Sequence, residues 1–121
     1  MIGAKVDPHQ VILLRLLSAT TERGRVIANN IANQNTPGFT RRTVQFEQQL
    51  EQALQRPDGD PLKVLPKVVE DTTSPRRHDG NNVNAELEAN AGSENRLLFE
   101  TYAAILQGHL QMLDTAITNG R

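Results

Sequence analysis

The segment from Ala28 to Phe39 constrains the possible folds of this chain more than any other part of the sequence. It reads Ala-Asn-Asn-Ile-Ala-Asn-Gln-Asn-Thr-Pro-Gly-Phe, so an apolar helical pattern leads through an asparagine-rich stretch into a Pro-Gly pair. Thr36 precedes a proline and is therefore disfavoured in the helical region. Pro37 and Gly38 suit the two central positions of a type II turn, where glycine takes a positive φ. The sequence predicts that the first helix stops here and that the chain then turns.

Upstream of this segment, the sequence predicts one long helix from about Pro8 to Asn33. Asp7 is placed to cap this helix, and a proline is acceptable in its first turn. Apolar and small residues recur in alternating steps of three and four, which is typical of a coiled-coil-like seam. Once position 10 is counted, this seam consists of Val6, Leu13, Leu17, Thr20, Gly24, Ile27 and Ile31. Further apolar residues widen it, so we expect the helix to contact more than one neighbour.

A second long helix is predicted from Ala85 to about Thr118, a stretch without proline. Asn84 is placed to cap it. Gly92 and Gly108 inside it either permit close approach of a neighbour or mark bends, and we favour close approach. Two adjacent apolar stripes run along the helix and imply two partners. The first stripe is Leu98, Tyr102, Ile105, His109, Met112 and Ala116, and the second is Leu106, Leu110, Leu113 and Ile117.

The middle of the chain is irregular by comparison. β-branched and aromatic residues alternate loosely over residues 39–46, which predicts a short extended segment. A short amphipathic helix follows, and the prolines and glycine of residues 57–61 end it. Residues 62–69 are consistent with one or two edge strands, because Pro66 cannot donate to a central ladder. Residues 71–82 are rich in turn-forming residues and are predicted to form a loop.

Together these elements predict a mainly α fold in one domain, with long N- and C-terminal helices packed as a coiled-coil-like antiparallel pair and a short irregular, β-containing insert. The low aromatic content, 3% of residues, suits helix-on-helix packing better than a large globular core. We expect an N-terminal axial helix and turn motif in residues 1–38, the insert in 39–82 and a C-terminal axial helix in 83–121. Both helices carry apolar residues around more than one face, so we expect other chains to cover the remaining surface.

Composition and motif content argue against catalysis. The chain has no cysteine, its three histidines are far apart, and it contains no H-E-x-x-H, P-loop or nucleophile-elbow pattern. A metal or phosphate site at His78 and Asp79, beside Arg76 and Arg77, is the remaining chemical alternative. We predict a protein that is not an enzyme and that has no catalytic, cofactor-binding or metal-binding residues.

Nucleic acid and membranes are also poor candidates as partners. The formal net charge of -1 gives no overall attraction for phosphate. The pairs Arg41-Arg42 and Arg76-Arg77 lack interleaved aromatic residues, so we interpret them as solvated or paired with acids of adjacent subunits. The longest apolar stretch, residues 11–17, is shorter than the ~20 residues of a membrane span. The first residues lack the pattern of a cleaved signal peptide.

The segment Ala28–Phe39 resembles the signature near the N terminus of bacterial flagellar axial proteins, which are the rod, hook and hook-associated subunits. Phe39 stands where that signature usually has tyrosine. The order of helix, short insert and helix is similar to the inner α-helical tube domain of these proteins. The segments Asp79–Leu87 and Glu94–Leu106 are similar to the FlgB type of proximal rod subunit. The FlgC type is the second alternative, and a helical adaptor unrelated to flagella is the third.

The resemblance implies a structural subunit of the flagellar basal-body proximal rod that assembles through its terminal helices for torque transmission and motility. The implied partners are other copies of the chain, other flagellar rod proteins, the FliE adaptor, the membrane-supramembrane ring and the export gate at the rod base. Nucleic acid and small-molecule substrates are not among them, and no cofactor is implied. The implied location is the periplasmic rod of the basal body, reached by type III export without a cleaved signal peptide.

The resemblance and the helical pattern together assign residues to two roles. The assembly motif, which we expect to hold the junction between helix and insert, is Asn29, Asn30, Ile31, Ala32, Asn33, Asn35, Thr36, Pro37, Gly38 and Phe39. The residues that we expect to pack within and between subunits are Leu13, Leu17, Ile27, Ile31, Leu98, Tyr102, Ile105 and Met112.

Overall fold

The fold is mainly helical, as the sequence predicts. A computed structural model of the chain describes residues 7–120, so Val6 of the predicted seam lies outside the described residues. In chain order, the elements are α1 (Pro8–Ala32), β1 (Arg42–Gln45), α2 (Glu47–Gln55), a 3-10 turn (Pro61–Lys63), β2 (Lys67–Glu70) and α3 (Ala85–Asn119). Within the described residues, none of the helices combines the length and the apolar character that a membrane crossing demands.

Both long helices begin at the predicted capping residues. The Asp7 Oδ1 atom accepts a hydrogen bond from the backbone N of His9 at 3.0 Å. The Asn84 Oδ1 atom accepts from two backbone N–H groups of the first turn of α3, at 3.1 and 3.2 Å. Each bond satisfies a backbone donor that has no partner within its own helix. The caps therefore account for the starts of α1 and α3.

The end of α1 also follows the prediction. α1 ends at Ala32, and a turn centred on Pro37 and Gly38 follows. The backbone N of Phe39 closes this turn by donating to the backbone O of Thr36 at 3.2 Å. Gly38 has a φ of 74°, the positive value that a type II turn requires at this position. The Pro-Gly pair thus redirects the chain from α1 towards the insert.

The two long helices lie antiparallel to each other. The side-chain contacts that establish the direction join Asn30 to Glu88, Thr20 to Asn95, and Asp7 to His109. α1 has 25 residues and α3 has 35. At a rise of 1.5 Å per residue, the C-terminal end of α3 extends ~15 Å beyond its contact with Asp7. This arrangement confirms the predicted pair of long antiparallel helices.

The insert packs against a second face of α1. Strands β1 and β2 pair antiparallel, with Arg42 opposite Glu70 and Gln45 opposite Lys67. A small core lies between α1, α2 and the 3-10 turn, and it consists of buried Ala19, Phe46 and Leu50 with partly buried Ile12, Leu16 and Val64 around them. α1 therefore contacts both α3 and the insert, which agrees with the expectation of more than one neighbour.

Packing between α1 and α3 uses some of the predicted residues. Ile27 is buried, and the half-buried members of the predicted set are Leu13, Leu17, Ile31, Leu98 and Tyr102. Ile105 and Met112 are 51% and 72% exposed, so their packing within the chain is not observed.

The helical repeat explains this difference. The predicted stripe runs from Tyr102 to His109 in steps of three and then four residues, but steps of four and then three give the same average repeat and place position 106 on the buried face. Leu106 is accordingly half-buried where the stripe has Ile105. Met112 lies beyond His109, which contacts Asp7 at the described start of the chain. Contact of Ile105 and Met112 with another subunit stays a prediction.

Candidate assembly site

A cluster of buried and half-buried polar side chains lies where the end of α1, the insert and the start of α3 meet. We call it the polar junction. Its members are Asn30, Arg41, Asp71, Asn81, Asn82 and Glu88. Polar groups that are removed from water need hydrogen-bond partners, so their arrangement fixes how the three segments lie together.

Asn30 on α1 holds the outer edge of β1. Its side chain is fully buried. The Nδ2 atom donates to the backbone O of Arg42 at 2.8 Å, and the Oδ1 atom accepts from the backbone N of Arg42 at 3.0 Å. The Nδ2 atom also donates to Glu88 Oε2 on α3 at 3.2 Å. The Asn30 side-chain amide therefore bonds both backbone groups of Arg42 at the edge of β1 and joins this strand to α1 and α3.

Arg41 links the insert to α3 through two ion pairs. Its Nε atom donates to Glu88 Oε1 and its Nη1 atom donates to Asp71 Oδ2, both at 2.6 Å. Only 1% of the Glu88 side chain is exposed. A carboxylate buried to this extent needs its cation, because removing one partner leaves an uncompensated charge.

The hydrogen bonds of the junction favour the charged forms of its groups. Ser74 Oγ donates to Asp71 Oδ2 at 2.5 Å. This bond, together with those from Thr73 and Arg41, holds the pKa of Asp71 well below its usual range. Burial alone lowers the pKa of Arg41, but the bonds to Glu88 and Asp71 outweigh burial and raise it. Asp71 and Arg41 therefore remain charged in the folded chain.

Asn82 ties the beginning of the insert to its end. The backbone N of Arg41 donates to Asn82 Oδ1 at 2.6 Å, and Asn82 Nδ2 donates to the backbone O of Asp71 at 2.7 Å. Asn82 is 4% exposed. The segment that precedes α3 is thus fastened to both sides of the two-stranded sheet.

Asn81 fastens the same segment to the turn that follows α1. Its Nδ2 atom donates to the backbone O atoms of Asn33 and Thr36, each at 2.8 Å. The turn after α1 also contacts the segment before α3 directly, because the backbone N of Gly38 donates to the backbone O of Asp79 at 2.8 Å. These bonds satisfy carbonyl groups that the end of α1 leaves without helical partners.

The structure brings together only part of the predicted assembly motif. Asn30, Asn33, Thr36 and Gly38 form the bonds described above, and Ile31 and Phe39 are half-buried. The exposed members of the motif are Asn29, Ala32, Asn35, Thr36, Pro37 and Gly38. Gly38 therefore contributes through its backbone N, and Thr36 through its backbone O and through its hydroxyl, which donates to Asn33 Oδ1 at 3.1 Å. The side chains of Asn29 and Asn35 are exposed.

Sequence reasoning did not identify the partners of Asn30. On sequence alone, Arg41 belongs to an arginine pair, Asn81 and Asn82 fall within the segment similar to FlgB, and Glu88 has no assigned role. Asn30 and Glu88 are separated by 58 positions, so no local spacing connects them. A buried pair at this distance requires knowledge of how α1 and α3 pack.

The Arg76-Arg77 pair binds the chain's own backbone. Arg76 Nη1 donates to Gly80 O at 2.6 Å, and Arg77 donates to the backbone O atoms of Val83 and Gln34. The neighbouring His78 is exposed. Within residues 7–120, no group of His, Cys, Asp and Glu side chains is arranged to hold a metal ion.

Comparison with known proteins gives a consistent result. Residues 17–40 match a family model described as "Flagella basal body rod protein". The chain is 30% identical over 104 residues to the flagellar basal body rod protein FlgB of Borreliella burgdorferi, an alignment that covers 70% of this chain and 77% of that protein. It is 28% identical over 122 residues to FlgB of Borrelia hermsii, covering 85% of this chain and 90% of the relative.

A relative from another organism gives the same match. The chain is 26% identical over 115 residues to the flagellar basal body rod protein FlgB of Bacillus subtilis, and 87% of this chain and 89% of that protein are covered. The matched family segment includes the end of α1, the turn and the start of the insert, which meet at the polar junction. On the identity and coverage of these matches, the chain belongs to the FlgB family of flagellar basal body rod proteins.

Proposed function

We propose that the chain is a structural, non-enzymatic subunit of the flagellar basal-body proximal rod, and that it assembles through α1 and α3 to transmit torque for motility. Family membership supports this role, because the FlgB relatives are named basal body rod proteins. The observation that carries the proposal is the uncovered C-terminal end of α3.

The C-terminal end of α3 carries apolar surface that the rest of residues 7–120 does not cover. Residues 110–119 are all exposed. Its large apolar side chains are Leu110, Met112, Leu113 and Ile117, which are 45%, 72%, 41% and 67% exposed. Continuous apolar surface of this kind marks an interaction site. Burying it between subunits gains roughly 25 cal/mol per Å², so assembly stabilises this helix.

We assign the assembly motif, residues 29–39, to holding the insert in a fixed position on the helix pair. The buried bonds of Asn30 and Asn81 and the ion pairs of Arg41 support this assignment. A subunit that carries torque needs such a junction, because force must pass between the axial helices and the insert without loosening them. The segments 1–38, 39–82 and 83–121 then act as one domain.

The partners that we propose are other copies of the chain, other flagellar rod proteins, the FliE adaptor, the membrane-supramembrane ring and the export gate. The proposed location is the periplasmic part of the rod, at its base. The resemblance to axial proteins supports these partners and this location. The FlgC type and the unrelated adaptor are not favoured, because the FlgB relatives align over most of the chain.

Deletion of the gene in its host tests the rod assignment. The isolated cell envelope is imaged for hook-basal bodies, and a plasmid copy serves as the rescue control. We expect loss of the rod above an intact membrane ring, with the rod restored by the plasmid. Complete basal bodies in the deletion strain, with no second copy of the gene present, would overturn the assignment.

A matched pair of plasmid variants tests the role of the exposed apolar side chains. Ile105→Asp places a charge on the exposed apolar surface of α3, whereas Thr101→Asp places the same charge at an exposed polar position. Both chains should fold, because neither side chain is buried. We expect Thr101→Asp to restore the rod and Ile105→Asp to leave it unbuilt. Normal rods in both strains would remove Ile105 from the subunit interface.

A further inference from the structure

Three glycines inside the long helices are not required by packing among residues 7–120. A Cβ atom on Gly24 would lie 3.5 Å from Asn95 Nδ2, and one on Gly92 would lie 3.7 Å from Ile27 Cγ2, both ordinary van der Waals distances. A Cβ atom on Gly108 would meet no neighbour among residues 7–120 within 4 Å, apart from its own helix. Glycine is less favourable than alanine inside a helix, and contacts among the described residues do not explain why glycine stands at these positions.

Gly24 and Gly92 lie in the same groove between α1 and α3. The groove has a volume of about 520 Å³ and is open to solvent. Thr21 lies on the α1 side of the groove, and Asn95 and Phe99 lie on the α3 side. Because the two glycines have no side chains, the backbones of both helices are accessible here to a third helix, which is how small residues permit close helix contact.

Asn95 supplies a second, independent indication that this groove binds a partner. Its side chain is 7% exposed, and its Nδ2 atom donates to the backbone O of Thr20 at 2.8 Å. Its Oδ1 atom is buried and receives no hydrogen bond from the described residues. A buried acceptor without a donor destabilises the chain, so a donor from outside is expected.

The C-terminal end of α3 has the features that such a groove would accommodate. One side of it forms a shallow concavity that contains Gly108, Met112 and Ala116, bordered by Gln111 and Thr115. This side of the helix therefore carries a glycine, apolar groups, and two side chains that can donate hydrogen bonds. α3 is one continuous helix, so this end cannot fold back into the groove of its own chain.

We propose that the groove at Gly24 and Gly92 receives the C-terminal end of α3 from a second copy of the chain. Gly108 of the incoming helix faces the groove, and Gln111 or Thr115 donates a hydrogen bond to Asn95 Oδ1. Groove and helix end occupy different places on each copy, so the contact is head-to-tail and adds copies without closing a dimer. The proposal rests on the proposed rod function and specifies which surfaces of the subunit meet.

Disulfide cross-linking tests this contact, since the natural chain has no cysteine. The double variant Thr21→Cys with Ala116→Cys places one thiol on the groove wall and one on the incoming helix. Both positions are exposed. Thr21 follows Thr20, which is level with Asn95, so it lies ~30 Å from Ala116 along α3 and the two thiols cannot join within one chain. Oxidation should therefore give a ladder of linked chains.

The cross-linking is performed on the purified full-length chain over a range of concentrations and on isolated basal bodies. The control pair is Thr72→Cys with Ala116→Cys, because Thr72 is exposed in the insert and lies outside the groove. We expect about tenfold more linked chains from the groove pair than from the control pair in at least one sample, because a disulfide needs Cβ atoms within a few ångströms. Equal yields in both samples would overturn the proposal.

The double variant Gly24→Ala with Gly92→Ala tests why the glycines are there. Its midpoint of thermal unfolding as a purified chain should be unchanged or higher, because both methyl groups fit and alanine favours the helix. When these two substitutions are combined with the cysteine pair, the yield of disulfide-linked chains should fall about tenfold, because the added methyl groups hold the incoming helix away. A lower midpoint, or an undiminished ladder, would refute this explanation of the glycines.

These outcomes are distinguishable from failure of the rod assignment. If the deletion strain builds complete basal bodies while the groove pair still cross-links, the contact between copies stands and the rod function falls. If deletion removes the rod and the groove pair gives no ladder, the rod function stands and this interface is wrong.

Discussion

Asn30 occupies the edge of β1 where a third strand would otherwise lie. It bonds both backbone groups of Arg42 and also donates to Glu88. We expect Asn30→Asp to lower the free energy of unfolding by about 2–4 kcal/mol, because a carboxylate cannot donate and lies beside a buried carboxylate. Denaturant titration measures the change. Asn29→Asp is the matched control, since this neighbouring side chain is exposed, and it should change stability by less than about 0.5 kcal/mol.

Asp71 should make the folded chain sensitive to acid. Its pKa is lowered in the folded state, chiefly by the hydrogen bond from Ser74, followed by those from Thr73 and Arg41. The folded chain therefore binds fewer protons than the unfolded chain as the pH falls through the ordinary aspartate pKa of about 3.9. The stabilisation is fully present above that pH and is lost progressively below it.

The variant Asp71→Asn isolates this contribution. Unfolding free energies of the natural chain and the variant are measured by denaturant titration between about pH 6 and pH 2. We expect the natural chain to be more stable near pH 6 and the difference to shrink as the pH falls below about 4. A difference that stays constant over this range would show that ionisation of Asp71 does not stabilise the fold.

At the scale of the helices, the sequence predicts where a helix begins and ends better than it predicts which of its faces packs against the other helix. The caps at Asp7 and Asn84 and the Pro-Gly turn are local signals, so they fix where α1 and α3 begin and where α1 stops. The face of α3 that meets α1 depends on which of two adjacent apolar stripes packs against it. Steps of three and four residues or of four and three residues connect Tyr102 to His109 equally well, so the pattern alone does not distinguish Ile105 from Leu106 in the seam.

Two alanine substitutions test this corrected seam. Leu106 is half-buried and lies one turn before His109, which contacts Asp7, whereas Ile105 is 51% exposed. We expect Leu106→Ala to lower the free energy of unfolding by about 1–2 kcal/mol, less than a fully buried leucine costs. Ile105→Ala should change it by about 0.5 kcal/mol or less. The reverse order, measured by denaturant titration on the purified chain, would restore the stripe that the sequence predicts.

At the scale of the whole molecule, the chain has a well-connected end and an uncovered end. Near the start of α3, buried polar groups join both helices and the insert. The sequence does not predict these contacts, because Asn30 meets Glu88 only after the two helices pack. Beyond His109, no described residue of α1 or the insert covers α3. Stability is therefore unevenly distributed along one continuous helix.

Hydrogen exchange should reveal this uneven distribution and its loss on assembly. In the purified chain, we expect the amides of residues 110–119 to exchange much faster than those of residues 88–98, because helical stability comes mainly from tertiary packing. In isolated basal bodies, neighbouring subunits should cover residues 110–119 and slow their exchange. Mass spectrometry of both samples provides the measurement, with β1 as the internal reference because its edges are already bonded within the chain. If residues 110–119 still exchanged rapidly in the basal body, that end of α3 would not be the surface through which the subunit assembles.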